Sequence, residues 1–175
     1  MHLKFCLAIV SILILAAAGA PAQTPNGDPA DAFYNLTKAA PRAFNAGEHE
    51  NAATLAKQLL AEAEHWKTNW NYGNAIHGAN LVLGRIALAK GETDDARKFL
   101  LAAGKTPGSP QLKSFGPDML FATEMLKKGE SKTVLEYFEL CAKFWERKDD
   151  RLEAWKAAVL RGETPDFGPN VRYFF

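Results

Sequence analysis

The sequence predicts an all-α protein, and three observations support this prediction. Apolar residues recur at spacings of three and four, as in Leu83, Ile86 and Ala87, which is the period of a helix buried on one face. No segment has the composition and alternation expected of a β-strand. The dipeptide Gly-Glu occurs at positions 47, 91, 129 and 162, and glycine commonly ends a helix in the left-handed conformation. These turns, 33 to 44 residues apart, predict helical hairpins stacked along the chain.

The first 22 residues have the three parts of a secretory signal peptide. Lys4 supplies the positive start, residues 5–18 are uncharged and almost wholly apolar, and Ala20-Pro21-Ala22 forms the cleavage site. An uncleaved anchor is the alternative, but the apolar run is shorter than the roughly 20 residues that span a bilayer. We therefore expect cleavage before Gln23 and export to the periplasm or beyond, with no membrane attachment afterwards.

The composition predicts a packed domain with a nearly neutral surface. Hydrophobic residues make up 47% of the chain, which is enough for a core, and 21 basic residues balance 20 acidic ones. This balance predicts no nucleic-acid partner, because such partners require a basic excess. Once the signal peptide is removed, Cys141 is the single cysteine of the sequence, and its apolar neighbours predict a buried thiol.

The helical pattern divides the rest of the chain into three parts. We predict a flexible leader at 23–28, a helical domain at 29–162 and an irregular tail at 163–175. The domain should contain about seven helices, at 29–46, 49–67, 71–90, 93–103, 117–128, 131–146 and 149–161. Residues 104–116 form the one long predicted loop, with Pro117 at the first position of the next helix. The tail, which ends in Phe174 and Phe175, is predicted to cap the last helix; an aromatic hook for a partner is the alternative.

The middle of the chain resembles a tetratricopeptide (TPR) repeat. The residues that carry the resemblance are Leu83, Gly84, Ala87, Gly91, Ala96, Leu100, Ala103 and Pro110, with the proline slightly late. Weaker matches surround it at 47–59, 121–141 and 155–162. The resemblance implies degenerate antiparallel hairpins that form a short right-handed solenoid. Pro41 departs from the pattern and should kink or delay the first helix.

A second resemblance bears on location. The stretch from 74 to 145 is similar to uncharacterised secreted bacterial TPR-like proteins, which implies a protein of the bacterial envelope. In the TPR arrangement the first helix of each hairpin lines a concave groove. By that analogy the groove would carry Tyr34, Thr37, Arg85, Thr123, Lys127 and Lys156. Such a groove would be mildly basic and would suit an extended peptide or its carboxylate.

Two further groups of residues are candidates for binding. Trp66, Trp70 and Tyr72 lie among asparagines, and could either grip a peptide or wedge the first hairpin onto the second. Asn74, His77 and Asn80 follow at one-turn spacing. They could form a buried polar cluster that orients the hairpins, or a polar anchor in a binding cleft.

We predict no catalytic residue, metal ligand or cofactor. The three histidines after the signal peptide, His49, His65 and His77, lack the spacing of a zinc site. Gly104-Lys105-Thr106 lacks the glycine that a phosphate-binding loop has five residues before its Gly-Lys pair.

The leading hypothesis is a non-enzymatic module that binds a protein or peptide. One alternative is a small-ligand-binding or hydrolytic protein with its site around His77 and residues 104–116. Another is an accessory subunit that docks on a larger envelope partner through an apolar face and its aromatic tail.

Overall fold

A computed structural model describes residues 28–171, and this part of the chain is helical with no β-strand. Its eight α-helices are α1 (Pro29–Asn45), α2 (His49–Ala63), α3 (Tyr72–Ala89), α4 (Thr93–Gly104), α5 (Pro110–Phe115), α6 (Leu120–Lys127), α7 (Ser131–Cys141) and α8 (Arg151–Leu160), and a 3-10 turn follows at Gly168–Val171. The predicted all-α class is confirmed. The predicted signal peptide, most of the leader and residues 172–175 lie outside the described residues.

The four Gly-Glu dipeptides form the same helix-ending turn. Gly47, Gly91, Gly129 and Gly162 all have φ between +79° and +82°, the left-handed conformation that glycine adopts without strain. In each turn the amide of the following glutamate donates to a carbonyl five residues earlier, as from Glu48 N to Ala43 O at 2.9 Å. This bond satisfies a carbonyl that the end of the helix would otherwise leave unpaired. The predicted glycine termini are therefore confirmed.

Two apolar clusters form the core, and α3 contributes to both. The first joins α1, α2 and α3 and is rich in alanine, which lets the helices approach closely. The second joins α3 and α4 to α6, α7 and α8, and contains large rings such as Tyr137, Phe138 and Trp145. Phe99 of α4 packs against both clusters. Phe167, in the part of the predicted tail that the structure describes, is 3% exposed and lies 4.9 Å from Trp155, ring centroid to ring centroid.

Gly84 has a close-packing role. A Cβ atom added there would lie 2.3 Å from Cε1 of Phe121 on α6, so only glycine admits this ring against α3. Cys141 is fully buried in the second cluster, as predicted, and burial raises the pKa of its thiol well above the ordinary value.

Helix α1 begins at Pro29 and continues through Pro41 to Asn45, so Pro41 does not delay it, and the predicted alternative of a kink stays a prediction. Two other local predictions were wrong. The predicted loop at 104–116 contains α5, so the described residues hold eight helices rather than seven; Ser109 caps this helix by accepting from Leu112 N at 3.0 Å. Helix α6 begins at Leu120 rather than Pro117, because Asp118 turns back and accepts from Leu120 N at 2.7 Å.

Candidate functional site

A groove lies where α1, α3 and α5 meet, and we call it the α1–α3 groove. Its deeper part is a cavity of about 240 Å³ lined by Thr37, Pro41, Asn74, His77, Gly78, Leu81, Gln111, Leu112, Phe115, Gly116 and Asp118. A shallower hollow of about 300 Å³ is lined by Tyr34, Thr37, Lys38, Trp70, Asn71, Asn74 and Gln111. The two parts share Thr37, Asn74 and Gln111, so they form one continuous depression.

Hydrogen bonds from α3 hold the connection that carries α5 in place. Thr106 Oγ1 donates to Gly73 O at 2.8 Å, and Ser109 Oγ donates to Asn74 Oδ1 at 2.6 Å. Asn74 Nδ2 donates to Gln111 Oε1 at 3.2 Å. The backbones also approach closely, since a Cβ on Gly73 would lie 1.8 Å from Gly108 O. These contacts make α5 one wall of the groove.

An amide network forms the rim of the shallow part. Asn69 Nδ2 donates to the Tyr34 hydroxyl, and Asn71 Nδ2 donates to Thr37 Oγ1, both at 3.0 Å. Asn74 Nδ2 donates to Asn71 Oδ1 at 2.9 Å. The network fixes Tyr34 and Thr37 of α1 against the segment that leads into α3. The shallow part is therefore bordered by amides and hydroxyls, and Lys38 is the charged residue in its lining.

The two predicted tryptophans have different environments. Trp66 is half-buried and stacks on Phe33 with ring centroids 5.6 Å apart, so it joins the first hairpin to the rest. Trp70 is 51% exposed, lies 5.4 Å from the Tyr34 ring and lines the groove. Tyr72 is half-buried against the first apolar cluster. Trp66 therefore packs against the first hairpin and Trp70 lines the groove; peptide binding by this segment stays a prediction.

His77 is buried and uses both ring nitrogens in the fold. Nε2 accepts from Asp118 N at 3.3 Å, so Nδ1 carries the proton and donates to Ala103 O at 3.1 Å. Burial lowers the pKa of His77 to about 4, although the bond to Ala103 opposes this shift. A neutral ring with both nitrogens engaged has no lone pair left to take a proton from a substrate. This geometry argues against His77 as a general base.

Asn80 does not share the position predicted for it. Asn74 and His77 line the cavity, whereas Asn80 is absent from its lining and donates to Ile76 O at 2.7 Å. The helical repeat of 3.6 residues explains the difference, because spacings of three drift around the helix. Gly78 and Leu81 continue the cavity-facing stripe instead.

Two of the cations predicted to line a basic groove are held in ion pairs. The Arg85 guanidinium is held by Glu124 through Nε and Nη2, at 2.7 to 3.1 Å, and lies over the Phe44 ring. Lys156 is paired with Glu139 at 2.6 Å and with Glu153.

The remaining concave-face candidates on α6 also lie away from the cavity lining. Thr123 Oγ1 donates to Met119 O at 2.9 Å, and Lys127 is exposed at the end of the helix. Of the residues predicted by analogy with the TPR arrangement, Tyr34 and Thr37 line the groove.

Sequence reasoning missed Asp118, the charged residue that lines the cavity. It is 7% exposed; Oδ1 accepts from Leu120 N, and Oδ2 is buried without a hydrogen-bond partner. Burial raises the pKa of Asp118 to about 6, the nearby Glu124 raises it further, and Leu120 N and Arg85 lower it. In the sequence, an aspartate shortly before a helix indicates only a cap. Its place at the cavity depends on packing between distant segments.

Comparisons with known proteins give this chain no relative. No family model, no curated protein and no solved structure matches it. Within residues 28–171, no helix has the length and apolar character needed to cross a membrane. In the same range, no three histidine, cysteine or acidic side chains gather as a metal site would require. Function is therefore inferred from the geometry of the groove.

Proposed function

We propose that this chain is an exported, non-enzymatic interaction module that binds a segment of another protein in the α1–α3 groove. The observation that supports this best is the continuity of the groove, with an apolar deep part and an amide rim. An aromatic ring that is 51% exposed, that of Trp70, lines the shallow part. Interfaces that bind peptides commonly combine aromatic anchors with a few polar groups that fix orientation.

The proposal includes a TPR-like arrangement of the hairpins in the bacterial envelope. Four turns of one geometry, and a groove lined by the first helices of two hairpins, support this arrangement. The signal-peptide pattern of residues 1–22 supports export. A groove of this kind suits an extended segment, whose side chains can enter the deep and the shallow part in turn.

A single substitution can close the groove without disturbing the fold. Gly78 lies in α3 on the cavity wall, and a Cβ added there meets nothing within 4 Å. Gly78→Leu should therefore fill the deep part and also favour the helix. The matched control is Ala89→Leu, which places the same side chain at an exposed position of the same helix.

The experiment is co-purification of the tagged mature chain from the native envelope, followed by identification of the bound protein. We expect Gly78→Leu to reduce capture by about tenfold or more, equivalent to about 1.4 kcal/mol of binding free energy, while Ala89→Leu captures as the parent does. Circular dichroism and thermal unfolding should show both variants folded. Equal capture by both variants would mean that the groove is not the binding surface.

A further inference from the structure

The floor of the α1–α3 groove contains one buried acceptor without a donor. Asp118 Oδ2 has no hydrogen-bond partner, although the residue is only 7% exposed. A buried carboxylate oxygen without a donor destabilises the molecule, because water is lost and nothing replaces it. Such an atom in a cavity wall is most simply explained by a donor that arrives with a ligand.

Asp118 is the acidic residue of the cavity lining. Arg85, which Glu124 holds in a bidentate ion pair, lowers the pKa of Asp118 through its charge, and His77 is neutral because its Nε2 accepts a hydrogen bond. The Tyr137 hydroxyl donates to the backbone carbonyl of Asp118, not to its carboxylate. The carboxylate of Asp118 therefore carries the charge that a ligand in the cavity meets, and this charge attracts a cation and repels an anion.

The remaining walls suit an aliphatic chain. Pro41, Leu81 and Leu112 provide apolar surface, and Gly78 leaves space for a ligand. The cavity volume of about 240 Å³ is smaller than the roughly 300–1,000 Å³ of pockets for drug-sized ligands. It therefore suits one side chain of a larger ligand.

We propose, building on the proposed function, that the cavity takes a lysine or arginine side chain of the bound segment. The stem packs against Pro41, Leu81 and Leu112, and the cationic end donates to the Asp118 carboxylate. This arrangement would give Oδ2 a hydrogen-bond donor, pair the Asp118 carboxylate with a cation and fill the deep part of the groove. Long basic side chains bury their stems in this way while the charged end finds a partner.

The test uses fluorescein-labelled heptapeptide mixtures with a fixed central residue and randomised flanks, titrated into the full mature chain by anisotropy. We expect the lysine and arginine mixtures to bind at least about tenfold more tightly than the norleucine mixture, which has a similar stem without the charge. The glutamate mixture should bind most weakly. Equal binding of the lysine and norleucine mixtures, or no binding by any mixture, would overturn the proposal.

Two variants assign the preference to the carboxylate. Asp118→Asn keeps an oxygen for Leu120 N but removes the charge, so it should abolish the preference for lysine and leave norleucine binding unchanged. Glu136→Gln, at an exposed position of α7, is the matched control and should retain the preference. A preference that survives in Asp118→Asn would contradict the proposal.

One further variant distinguishes the chain itself from an external ligand. Arg172 is a basic residue of the same sequence, shortly after the described residues. If the preference for lysine appears only in Arg172→Ala, the occupant is the chain's own arginine and the proposal is overturned. A different result would show that the proposed function fails: in the co-purification experiment, Gly78→Leu would capture as much partner as the parent does.

Discussion

The Gly-Glu turns and the connection between α4 and α6 both reverse the direction of the chain, but different contacts hold them. Each turn joins two helices through one left-handed glycine and a bond to a carbonyl five residues earlier. The connection, residues 105–119, also reverses the chain, but contacts with distant residues hold it. Thr106 bonds to Gly73, and Asn170 Nδ2 donates to Phe115 O at 3.1 Å and to Pro117 O at 2.9 Å.

This difference explains where the candidate site lies. The turns are made from local contacts and line neither part of the α1–α3 groove. The connection supplies Gln111, Leu112, Phe115, Gly116 and Asp118 to the cavity. A segment that depends on distant contacts is placed by the whole fold, and it can therefore build one wall of a groove against α1 and α3.

The largest expected effect is at Gly116 in the connection. This residue has φ +89° and ψ −180°, and an added Cβ would lie 2.3 Å from Cε2 of Trp145. Gly116→Ala should lower the free energy of unfolding by about 4 kcal/mol, through backbone strain and overpacking together. Urea unfolding at neutral pH measures this loss.

The control for Gly116→Ala is Gly78→Ala. Gly78 lies within α3 with open space beside it, so alanine there should stabilise the chain by about 0.5–1 kcal/mol. A Gly116→Ala protein as stable as the parent would show that the connection adjusts to a side chain. The proposed difference between the connection, which distant contacts hold, and the Gly-Glu turns, which local contacts hold, would then be contradicted.

Acidification should have opposite effects on the stability contributed by two titratable groups, His77 of α3 and Asp118 of the connection. The pKa of His77 is about 4, below its ordinary 6.5, so its neutral form stabilises the fold fully above pH 6.5. About 3 kcal/mol of that stability is lost as the pH falls towards 4. The pKa of Asp118 is about 6, above its ordinary 3.8, so its protonation stabilises the fold by about 3 kcal/mol over nearly the same interval.

The two contributions nearly cancel in the parent, and variants should reveal them. Between pH 7 and pH 4, Asp118→Asn should lose about 3 kcal/mol of unfolding free energy relative to the parent, and His77→Gln should gain about as much. Urea unfolding at pH 7, 5.5 and 4 measures how the unfolding free energy of each variant changes with pH. If the unfolding free energy of both variants changed with pH as that of the parent does, the opposing pKa shifts would be contradicted.

A smaller effect is expected in a Gly-Glu turn. Gly91 has φ +79°, but an added Cβ meets nothing within 4 Å. Gly91→Ala should therefore cost only the left-handed strain, about 1–2 kcal/mol. Equilibrium unfolding gives the value, and Gly47→Ala should give a similar one because the geometry is the same. A loss as large as that of Gly116→Ala would remove the distinction between the two kinds of connection.

The smallest effect is expected at the cap of α5. Ser109 Oγ accepts from Leu112 N and donates to Asn74 Oδ1, and Ser109→Ala removes both bonds. We expect a loss of about 1 kcal/mol, with faster hydrogen exchange confined to α5. Ser131→Ala is the control, because Ser131 caps no helix by a side-chain bond. Exchange that accelerates equally in α3 would mean that α5 and the core open as one unit.

The candidate site was partly predictable from the sequence. Tyr34, Thr37, Trp70, Asn74 and His77 were predicted and do line the groove, because helical periodicity and aromatic composition are properties of short segments. Arg85 was predicted as a ligand contact, but it is held by Glu124, which lies on another helix. A partner 39 residues away leaves no signal in the local pattern.

The sequence by itself determined the helical class, most helix positions and the four glycine turns, because neighbouring residues specify these features through periodicity and backbone conformation. The tertiary structure decided that α5 forms within a predicted loop, and that His77 is locked between Ala103 and Asp118. It also placed a carboxylate oxygen, Asp118 Oδ2, without a donor in the wall of an apolar cavity. These features depend on which distant segments pack together, and on the loss of water that accompanies that packing.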